Sequence, residues 1–328
     1  MKITFIAWER YERRSDLLAQ HLGATMHHIY HGQRGEVLQA PTRYLTQGLQ
    51  TWAVLSQERP DVVFIQNPPI FCVLLVSLYA CRYNVQYVID SHTAAFSSRK
   101  WRWSVGLHRL LSLRAAATIV HNKSQERIVK RWGCRYCVIG FIPGEYPAGE
   151  HFPLGRQFNV AVISTFGEDE PLDVILEAAA SLPEVDFYIT GDSRHAAPRL
   201  LAEKPDNCRF TGYLPYDQYV GLLRGVDFVM DLTTRDHTLL AGAFEAVCIG
   251  TPLIVSNWPI LRGYFSPGTV HVSNTVQGIC EGVQRARREQ PTLRHDISQL
   301  REKLQAEWEQ EFAQLWQLLQ GHYSGAVT

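Results

Sequence analysis

The sequence predicts an α/β protein built from two domains, each a parallel β-sheet covered by helices. Strand-like and helix-like segments alternate through 61–90 and again through 159–232, a pattern typical of parallel strands with right-handed crossovers. Residues 143–156 (PGEYPAGEHFPLGR) contain three prolines and three glycines and have no apolar periodicity, as expected of a linker. Residues 239–255 follow the order helix, glycine, proline, buried strand, which is half of a further βαβ unit.

The remaining elements follow from apolar runs bounded by glycine, proline and polar residues. Strands are predicted at 3–7, 61–66, 85–90, 117–121, 159–164, 186–190, 207–212, 227–232 and 253–255. Helices are predicted at 15–23, 48–57, 70–83, 124–132, 172–181, 216–223, 239–249, 277–288 and 297–319. The predicted domains are 1–145 and 156–296, with the helices of 297–320 packed against the first.

The bulk properties exclude several classes of protein. The 328 residues, 46% of them hydrophobic, are enough for two cores. The 32 basic and 32 acidic residues give no net charge, so we expect no nucleic-acid partner. Seven cysteines without regular spacing predict free thiols in a reducing compartment, and the pair Cys134 and Cys137 alone does not predict a metal site. The N-terminus lacks the features of a signal peptide, and the longest apolar run, 70–81, is shorter than the roughly 20 residues of a membrane span. We therefore expect a cytoplasmic protein.

The start of the predicted helix 239–249 is suited to an anion. Its first backbone N–H groups have no helical partner, and they lie at the positive end of the helix dipole, so a diphosphate is expected at 240–242. Ala241 and Gly242 have little or no side chain, which allows close approach. Glu245 lies one turn further on, where it can bind sugar hydroxyls; the alternative is a helix carboxylate at a polar interface.

This region resembles the donor-site motif of glycosyltransferases of the GT-B fold, in family 4 and its relatives. The matching residues are Glu245-Ala246, Gly250-Thr251-Pro252 and the strand Leu253-Ile254-Val255. The first glutamate of the motif is replaced by His237, which would donate to a phosphate or a sugar hydroxyl, or else lie on the surface. The resemblance implies two Rossmann-like domains facing across a cleft, with the donor on the C-terminal one.

Asp90 and His92 directly follow a predicted strand, where parallel sheets bind ligands. They are candidates for a general base or for partners of sugar hydroxyls; alternatively, Asp90 caps the next segment and His92 lies on the surface. QNPP (66–69), VIDSH (88–92) and STFGEDE (164–170) resemble segments of the β-mannosyltransferases that act on dolichol-linked chitobiose. The resemblance to family 4 implies that His92 faces the donor sugar.

The resemblance also implies a set of donor-binding residues on the C-terminal domain. These are Thr165, Gly167, Gly191, Tyr213, Leu214, His237, Leu240, Ala241, Gly242 and Glu245. The arginine and lysine that hold the diphosphate in many family 4 enzymes are absent from 164–170, which leaves Arg194, Arg235 and Arg262 as candidates.

Residues 98–114 interleave basic residues with Trp101, Trp103 and several leucines. Such a stretch predicts a peripheral membrane contact, which would suit a lipid-linked acceptor. The alternative is a helix with a solvated basic face.

Together these observations predict a hexosyltransferase that moves a sugar from a nucleoside-diphosphate sugar to a glycan or lipid-linked acceptor. No G-x-G-x-x-G follows a strand, so no nicotinamide or flavin cofactor is expected. No Asp-x-Asp lies at a fitting strand end, so no metal is expected. Asp90 is the base if the reaction inverts; a retaining reaction needs none. Two alternatives remain: a non-catalytic partner subunit of the same fold, favoured by His237, and a sugar-nucleotide epimerase.

Overall fold

The computed structural model describes residues 1–31, 40–155 and 158–324, with no side chains described at Ala40 and 321–324. The chain forms two compact units. The first contains 1–143 together with the end of the chain from Ala306, and the second contains Gly144–Gln305.

The first unit is a sheet of six parallel strands in the order β2-β1-β3-β4-β5-β6. The strands are β1 (Ile3–Ala7), β2 (Thr25–His28), β3 (Val62–Asn67), β4 (Gln86–Ser91), β5 (Ala117–Val120) and β6 (Tyr136–Val138). The helices are α1 (Arg13–Leu22), α2 (Ala40–Glu58), α3 (Ile70–Tyr83), α4 (Thr93–Ser97), α5 (Val105–Arg114) and α6 (Lys123–Trp132).

Local signals explain where these helices begin and end. The carboxylate of Glu12 accepts the N–H groups of Arg14 and Ser15 and so caps α1, and Asn122 caps α6 in the same way. Gly23 and Gly133 end the two helices in the left-handed conformation. These two glycines turn the chain back towards the sheet, since α1 is followed by β2 and α6 by β6.

The second unit repeats the architecture, with the strand order β12-β11-β10-β7-β8-β9. Its strands are β7 (Phe158–Val162), β8 (Val185–Thr190), β9 (Cys208–Gly212), β10 (Phe228–Asp231), β11 (Leu253–Ser256) and β12 (Thr269–Val272). Its shorter helices are α7 (Leu172–Ala180), α8 (Pro198–Ala202), α9 (Tyr216–Gly225), α10 (Ala241–Ile249) and α11 (Pro259–Tyr264). The core lies between sheet and helices and includes Phe158, Phe187 and Phe228, all buried.

The C-terminal helix differs from the prediction. One helix, α12 (Val276–Ser324), replaces the two predicted over 277–288 and 297–319, and Pro291 lies inside it. Leu293 is buried in the core of the second unit next to this proline. Tertiary packing thus holds a helix that the proline alone would interrupt. Further along, Trp308 and Phe312 lie in the first unit against the His21 ring, with centroids 4.8 and 6.1 Å away.

Three further predictions need adjustment. The strand β2 was not predicted, because it is a half-exposed edge strand without apolar alternation. Helix α2 begins at Ala40 rather than at residue 48. The segment 98–114 is not one helix: a 3₁₀ turn at Arg102–Ser104 precedes α5, Trp101 is buried, and Trp103 is exposed.

The cysteines and the helices agree with two sequence predictions. All seven cysteines are free thiols. Among the described residues, no helix has both the length and the apolar character needed to cross a membrane.

Candidate functional site

The first unit gathers a polar cluster at the carboxyl edge of its sheet. Asp90 lies near the end of β4, His92 follows that strand, and His121 follows the neighbouring strand β5. The N-cap of α1, Glu12, and the first turn of that helix, with Arg14, complete the cluster. Because all these strands are parallel, their carboxyl ends lie on one edge, and residues far apart in sequence come together there.

Asp90 is the centre of this cluster. Its side chain has no solvent exposure, and its two oxygens contact His92 Nε2 at 3.3 Å and His121 Nε2 at 3.1 Å. Glu12 lies 4.0 Å from His92 Nε2. His92 retains 18% exposure, so an incoming hydroxyl would meet its ring rather than the carboxylate. Asp90 is thus buried behind His92, and His92 is the more accessible member of the pair.

Arg14 fixes the other side of the cluster. Its Nε lies 3.0 Å from His121 Nε2, and its terminal nitrogens donate to the carbonyl oxygens of Gly140 and Ile139. His121 Nε2 therefore faces both Arg14 and Asp90. Only one of these contacts can be a hydrogen bond in the neutral ring, because that nitrogen either carries a proton or accepts one.

The charges in the cluster shift its pKa values in different directions. Burial opposes ionisation of Asp90, but the two histidines hold its pKa well below the ordinary range. Burial also opposes the charge on His92, but the Asp90 carboxylate raises the pKa of that ring. Burial and then Arg14 lower the pKa of His121 to about 3. The carboxylate of Asp90 therefore favours the protonated form of His92, whereas His121 stays neutral.

The same three side chains are a potential metal-ligand set. One ligand atom each from Asp90, His92 and His121 lie within 4.8 Å of one another, and nitrogen and carboxylate ligands suit zinc. The Arg14 guanidinium, however, already occupies the approach to His121 Nε2. A cation bound there would meet a fixed positive charge, so a proton-transfer arrangement fits these residues better than a metal centre.

In the second unit, the loop after β7 is organised by one carboxylate. Glu170 accepts hydrogen bonds from the Ser164 hydroxyl at 2.6 Å, and from the Thr165 N–H at 2.9 Å and hydroxyl at 2.7 Å. Gly167, at the tip, has room for a side chain. Glu170 thus gives this loop a defined shape next to the end of β8.

Two of the predicted glycines are required by close packing. Gly191 has φ +104°, and a Cβ there would lie 2.1 Å from the Ser164 carbonyl oxygen. A Cβ on Gly242 would lie 2.7 Å from Ile163 and 2.8 Å from Asp231 Oδ2. Gly242 is buried, so its lack of a side chain serves the packing of α10 against β7 and β10.

The N-terminus of α10 adjoins a buried acid. Asp231 Oδ2 accepts the N–H of Ala243 at 3.0 Å, whereas the N–H groups of Ala241 and Gly242 have no hydrogen-bond partner among the described residues. Burial raises the pKa of Asp231 to about 8, and Glu170, Glu245 and Asp169 add to the shift. Asp231 is therefore mainly neutral at pH 7, and a neutral acid does not repel an anion at this helix end.

The remaining predicted donor residues differ in environment. Glu245 accepts a hydrogen bond from the Tyr219 hydroxyl at 2.6 Å, which explains how an apolar helix carries a carboxylate. Tyr213 is 83% exposed, and Leu214 and Leu240 are partly or fully buried. His237 is exposed and lies 3.0 Å from Asp236. Thr165 is also exposed, at the edge of the loop.

Each of the three candidate arginines has a partner. The Arg194 guanidinium donates hydrogen bonds to both carboxylate oxygens of Asp192. Arg262 donates to the backbone carbonyl oxygen and the side-chain oxygen of Asn257. Arg235 lies 3.4 Å from Asp169, with 63% exposure. Asp169 also accepts the Thr233 hydroxyl at 2.9 Å, so Arg235 is the cation attached to the loop after β7.

Sequence reasoning did not assign a site role to His121, Glu170 or Tyr219. It named Arg14 only as one of the charged residues of 8–14, which either bind a ligand or form a solvated turn. His121 was detectable, since it ends the strand predicted at 117–121. Glu170 and Tyr219 contact the predicted residues Thr165 and Glu245 through their side chains only. No pattern in the sequence specifies those contacts.

Comparison with known proteins agrees with this architecture. Residues 173–315 match a protein family described as "Glycosyl transferase-like". Among curated protein sequences, none matches this chain.

Solved structures resemble the chain over nearly its full length. Sucrose-phosphate synthase from Thermosynechococcus elongatus has a TM-score of 0.73 at 13% identity, over 99% of this chain and 100% of that one. HepE from Anabaena, in complex with UDP-glucose, has a TM-score of 0.69 at 10% identity, over 97% and 100%. UDP-GlcNAc 2-epimerase from Methanocaldococcus jannaschii has a TM-score of 0.56 at 13% identity, over 87% and 92%. At these identities the likeness shows the fold: the chain has two Rossmann-like domains of the GT-B type, which confirms the predicted fold class.

Proposed function

We propose that the protein is a glycosyltransferase that moves a hexosyl group from a nucleoside-diphosphate sugar to an acceptor. The observation that carries the proposal is the match of residues 173–315 to a glycosyl transferase-like family. That match covers Tyr213, Glu245 and the start of α10, which the family resemblance assigns to the donor. HepE, which shares the fold, is described as a complex with UDP-glucose.

The donor would bind to the second unit. The N–H groups of Ala241 and Gly242 would receive the diphosphate at the positive end of α10. Arg235 is 63% exposed and lies 3.4 Å from Asp169 of the loop, so its side chain can turn to add a positive charge. The exposed ring of Tyr213 offers a stacking surface for a base, and Glu245, oriented by Tyr219, would accept hydrogen bonds from sugar hydroxyls.

The acceptor would bind to the first unit. In an inverting reaction, His92 would remove the proton from the attacking hydroxyl, and Asp90 would orient the ring and stabilise its charged form. In a retaining reaction, the same pair would hold a hydroxyl without removing its proton. Stabilisation of the leaving diphosphate by fixed N–H dipoles would supply much of the rate. The reaction then needs neither a metal nor a further cofactor.

The acceptor proposed is a lipid-linked glycan, following the resemblance of 66–69, 88–92 and 164–170 to the chitobiose β-mannosyltransferases. The exposed Trp103, Leu110 and Leu113 lie among exposed arginines of α5 and the preceding turn, and they support a peripheral contact with a membrane surface through 98–114. A cytoplasmic, membrane-associated location would suit such an acceptor.

A panel of nucleotide sugars tests the proposal. The protein should be stabilised thermally by one of them and should slowly release its nucleoside diphosphate. Glu245→Ala should abolish the release, whereas Glu177→Ala, on the exposed face of α7, should not. No thermal shift with any nucleotide sugar would contradict the proposal.

The same assay separates transfer from epimerisation, for which the structural likeness to a UDP-GlcNAc 2-epimerase is the reason. An epimerase changes the configuration of the sugar without an acceptor. If the recovered nucleotide sugar is epimerised and acceptors have no effect, the transferase assignment is wrong. A donor that binds but never reacts indicates a binding subunit.

A further inference from the structure

A groove lined by α2 and α3 crosses the surface of the first unit. Its volume is about 760 Å³, within the roughly 300–1,000 Å³ typical of small-molecule sites. Trp8, Trp52 and Phe71 line its more buried side. Three leucines on its rim are well exposed: Leu45, Leu49 and Leu78, at 65%, 67% and 57%. An exposed apolar surface of this kind usually marks a binding site for a ligand, a membrane or another protein.

The polar groups behind the groove are already bonded. The Trp8 indole N–H donates to the Thr51 hydroxyl at 2.9 Å, and that hydroxyl donates to the Gln47 carbonyl oxygen at 2.8 Å. The Tyr79 hydroxyl donates to the Leu55 carbonyl oxygen. The groove therefore offers a ligand hydrocarbon and aromatic contact and hardly any hydrogen bonds.

A polar pocket of about 320 Å³ adjoins one end of the groove, since Trp8 and Tyr44 line both. Arg43 and Lys100 line this pocket, held 5.1 and 5.3 Å above the rings of Tyr44 and Trp101. Neither cationic group forms an ion pair with a residue that the structure describes. Two positive charges that form no ion pair with a described residue are complementary to an anion, although the carboxylate of Glu9 lines the same pocket.

The polar pocket also contains an unsatisfied hydrogen-bond acceptor. Gln47 is 1% exposed, and its Nε2 donates to the Ile29 carbonyl oxygen, which fixes the amide orientation. Its Oε1 has no partner among the described residues. A buried amide oxygen without a partner is costly, so a ligand hydroxyl or amide is the expected donor. Glu9, the only carboxylate among the described residues of the lining, is suited to sugar hydroxyls as well.

We propose that the groove holds the hydrocarbon chain of a lipid-phosphate acceptor, with the phosphate against Arg43 and Lys100. This inference rests on the proposed function and specifies the acceptor as a single phosphate-linked lipid chain. The loop after β1 carries Glu9 in the polar pocket and Glu12 beside His92, so the head group and the proposed reacting centre share one loop. A concave groove with cations at one end fits a single chain better than the flat surface of a bilayer.

Dodecyl phosphate, used below its micelle concentration, is the probe for this site. Calorimetry should show saturable binding of one molecule per chain, and propyl phosphate should bind far more weakly because it lacks the chain. Leu49→Glu and Leu78→Glu should each weaken dodecyl phosphate binding ~10-fold, since they bring a charge to the hydrocarbon contact. Leu201→Glu changes an exposed leucine on α8 and should have no effect. Arg43→Gln should weaken dodecyl phosphate but not dodecanol.

Equal binding to the wild type, Leu49→Glu and Leu201→Glu, or no saturable binding at all, would overturn the proposal. So would binding to phosphatidylcholine vesicles that depends on Leu49 when the monomeric probe does not bind, because the face would then be a membrane contact. The nucleotide-sugar thermal shift, measured on the same variants, keeps the two proposals apart. If the shift is absent everywhere while dodecyl phosphate still binds, only the proposed transferase function fails.

Discussion

His92 and Asp90, which the sequence predicts to be catalytic residues, differ in their exposure and charge. Asp90 has no exposure, and its carboxylate contacts two imidazole nitrogens. His92 is the partly exposed member, and its pKa is raised by the neighbouring charge although burial opposes it. In the proposed reaction, a buried carboxylate in this position would act through the imidazole ring that it orients.

Asp90→Asn tests this proposed role in an inverting reaction. The amide removes the charge that raises the pKa of His92, so the acidic limb of the kcat–pH profile should move to lower pH. The maximal kcat should fall ~10²-fold or more, because the base loses its orienting anion. KM for the donor should stay unchanged.

The matched control is Asp16→Asn, which removes the carboxylate from a partly buried histidine pair, His28–Asp16, in the same unit. Asp16→Asn should leave the kcat–pH profile unchanged. An unchanged acidic limb in Asp90→Asn would show that His92 is not the titrating base.

At the scale of single elements, the loop after β7 depends on a glycine in the neighbouring strand end. Gly191→Ala would place a Cβ 2.1 Å from the Ser164 carbonyl oxygen at φ +104°. We expect a loss of about 3 kcal/mol in unfolding free energy, from backbone strain and overpacking together. Chemical denaturation measures this loss.

Gly212→Ala is the control for that prediction, since Gly212 has φ +70° but nothing within 4 Å of an added Cβ. It should cost only about 1 kcal/mol, for the left-handed backbone. Equal losses in the two variants would mean that the contact with Ser164 does not constrain the loop.

The end of α12 is a second element with a measurable role. Trp308 is 3% exposed in the first unit, and its ring lies 4.8 Å from His21 and 4.7 Å from Phe312. Trp308→Ala should lower the free energy of unfolding by about 3–5 kcal/mol, measured by urea denaturation. Trp103→Ala, at a 64% exposed tryptophan, should change it by less than ~0.5 kcal/mol. Similar effects of the two would show that α12 does not stabilise this unit.

At the scale of the whole molecule, the sequence was sufficient for the fold and insufficient for the side-chain partners. Buried parallel strands and buried helices both carry apolar runs that turn residues interrupt. The strands β3 and β8 and the helix α3 were therefore predicted within a residue or two of their observed bounds. The edge strand β2 lacks such a run and was missed. The continuity of α12 through Pro291 depends on tertiary packing, which a local signal does not report.

The site shows the same limit. Position at the carboxyl end of a strand was enough to single out Asp90 and His92 as candidates from the sequence, whereas Thr165 was inferred from the family resemblance. The pairing of Tyr219 with Glu245 and the bonds from Glu170 to its own loop arise from distances that form only on folding. Gly242 was expected to admit a ligand, and packing against Ile163 and Asp231 is the observed reason for its small size.

Buried titratable groups also set how the stability of the whole protein depends on pH. Burial raises the pKa of Asp231 to about 8 and that of Glu311 to about 7. Above its ordinary pKa, each acid keeps a proton in the folded protein that the unfolded chain has released. Its contribution to the free energy of unfolding is therefore lost as pH rises towards the raised pKa. Burial lowers the pKa of His108 and His121 to about 3, which has the opposite effect between about pH 3 and their ordinary 6.5.

Between about pH 4.5 and 6.5 these two acids and two histidines oppose one another, so the unfolding free energy should change little. Above pH 6.5 the histidines no longer contribute, and stability should fall by about 2 kcal/mol to pH 8, at up to ~1.4 kcal/mol per pH unit for each acid. The Asp231→Asn variant has no ionisable group at this position. Most of the fall in its unfolding free energy between pH 6.5 and 8 should therefore be absent. Urea unfolding at pH 5.5, 6.5, 7.5 and 8.5 measures it.

Asp227→Asn is the control for the aspartate variant, because Asp227 also accepts a backbone N–H, that of Asn159 at 2.8 Å. It should shift stability by the same amount at every pH and leave the fall from pH 6.5 to 8 intact. A wild-type protein equally stable at pH 6.5 and 8, or an Asp231→Asn variant that falls as steeply as the wild type, would show that Asp231 is ionised in the folded protein. The helix end at Ala241 and Gly242 would then face a fixed negative charge, and a diphosphate would have to bind elsewhere in the second unit.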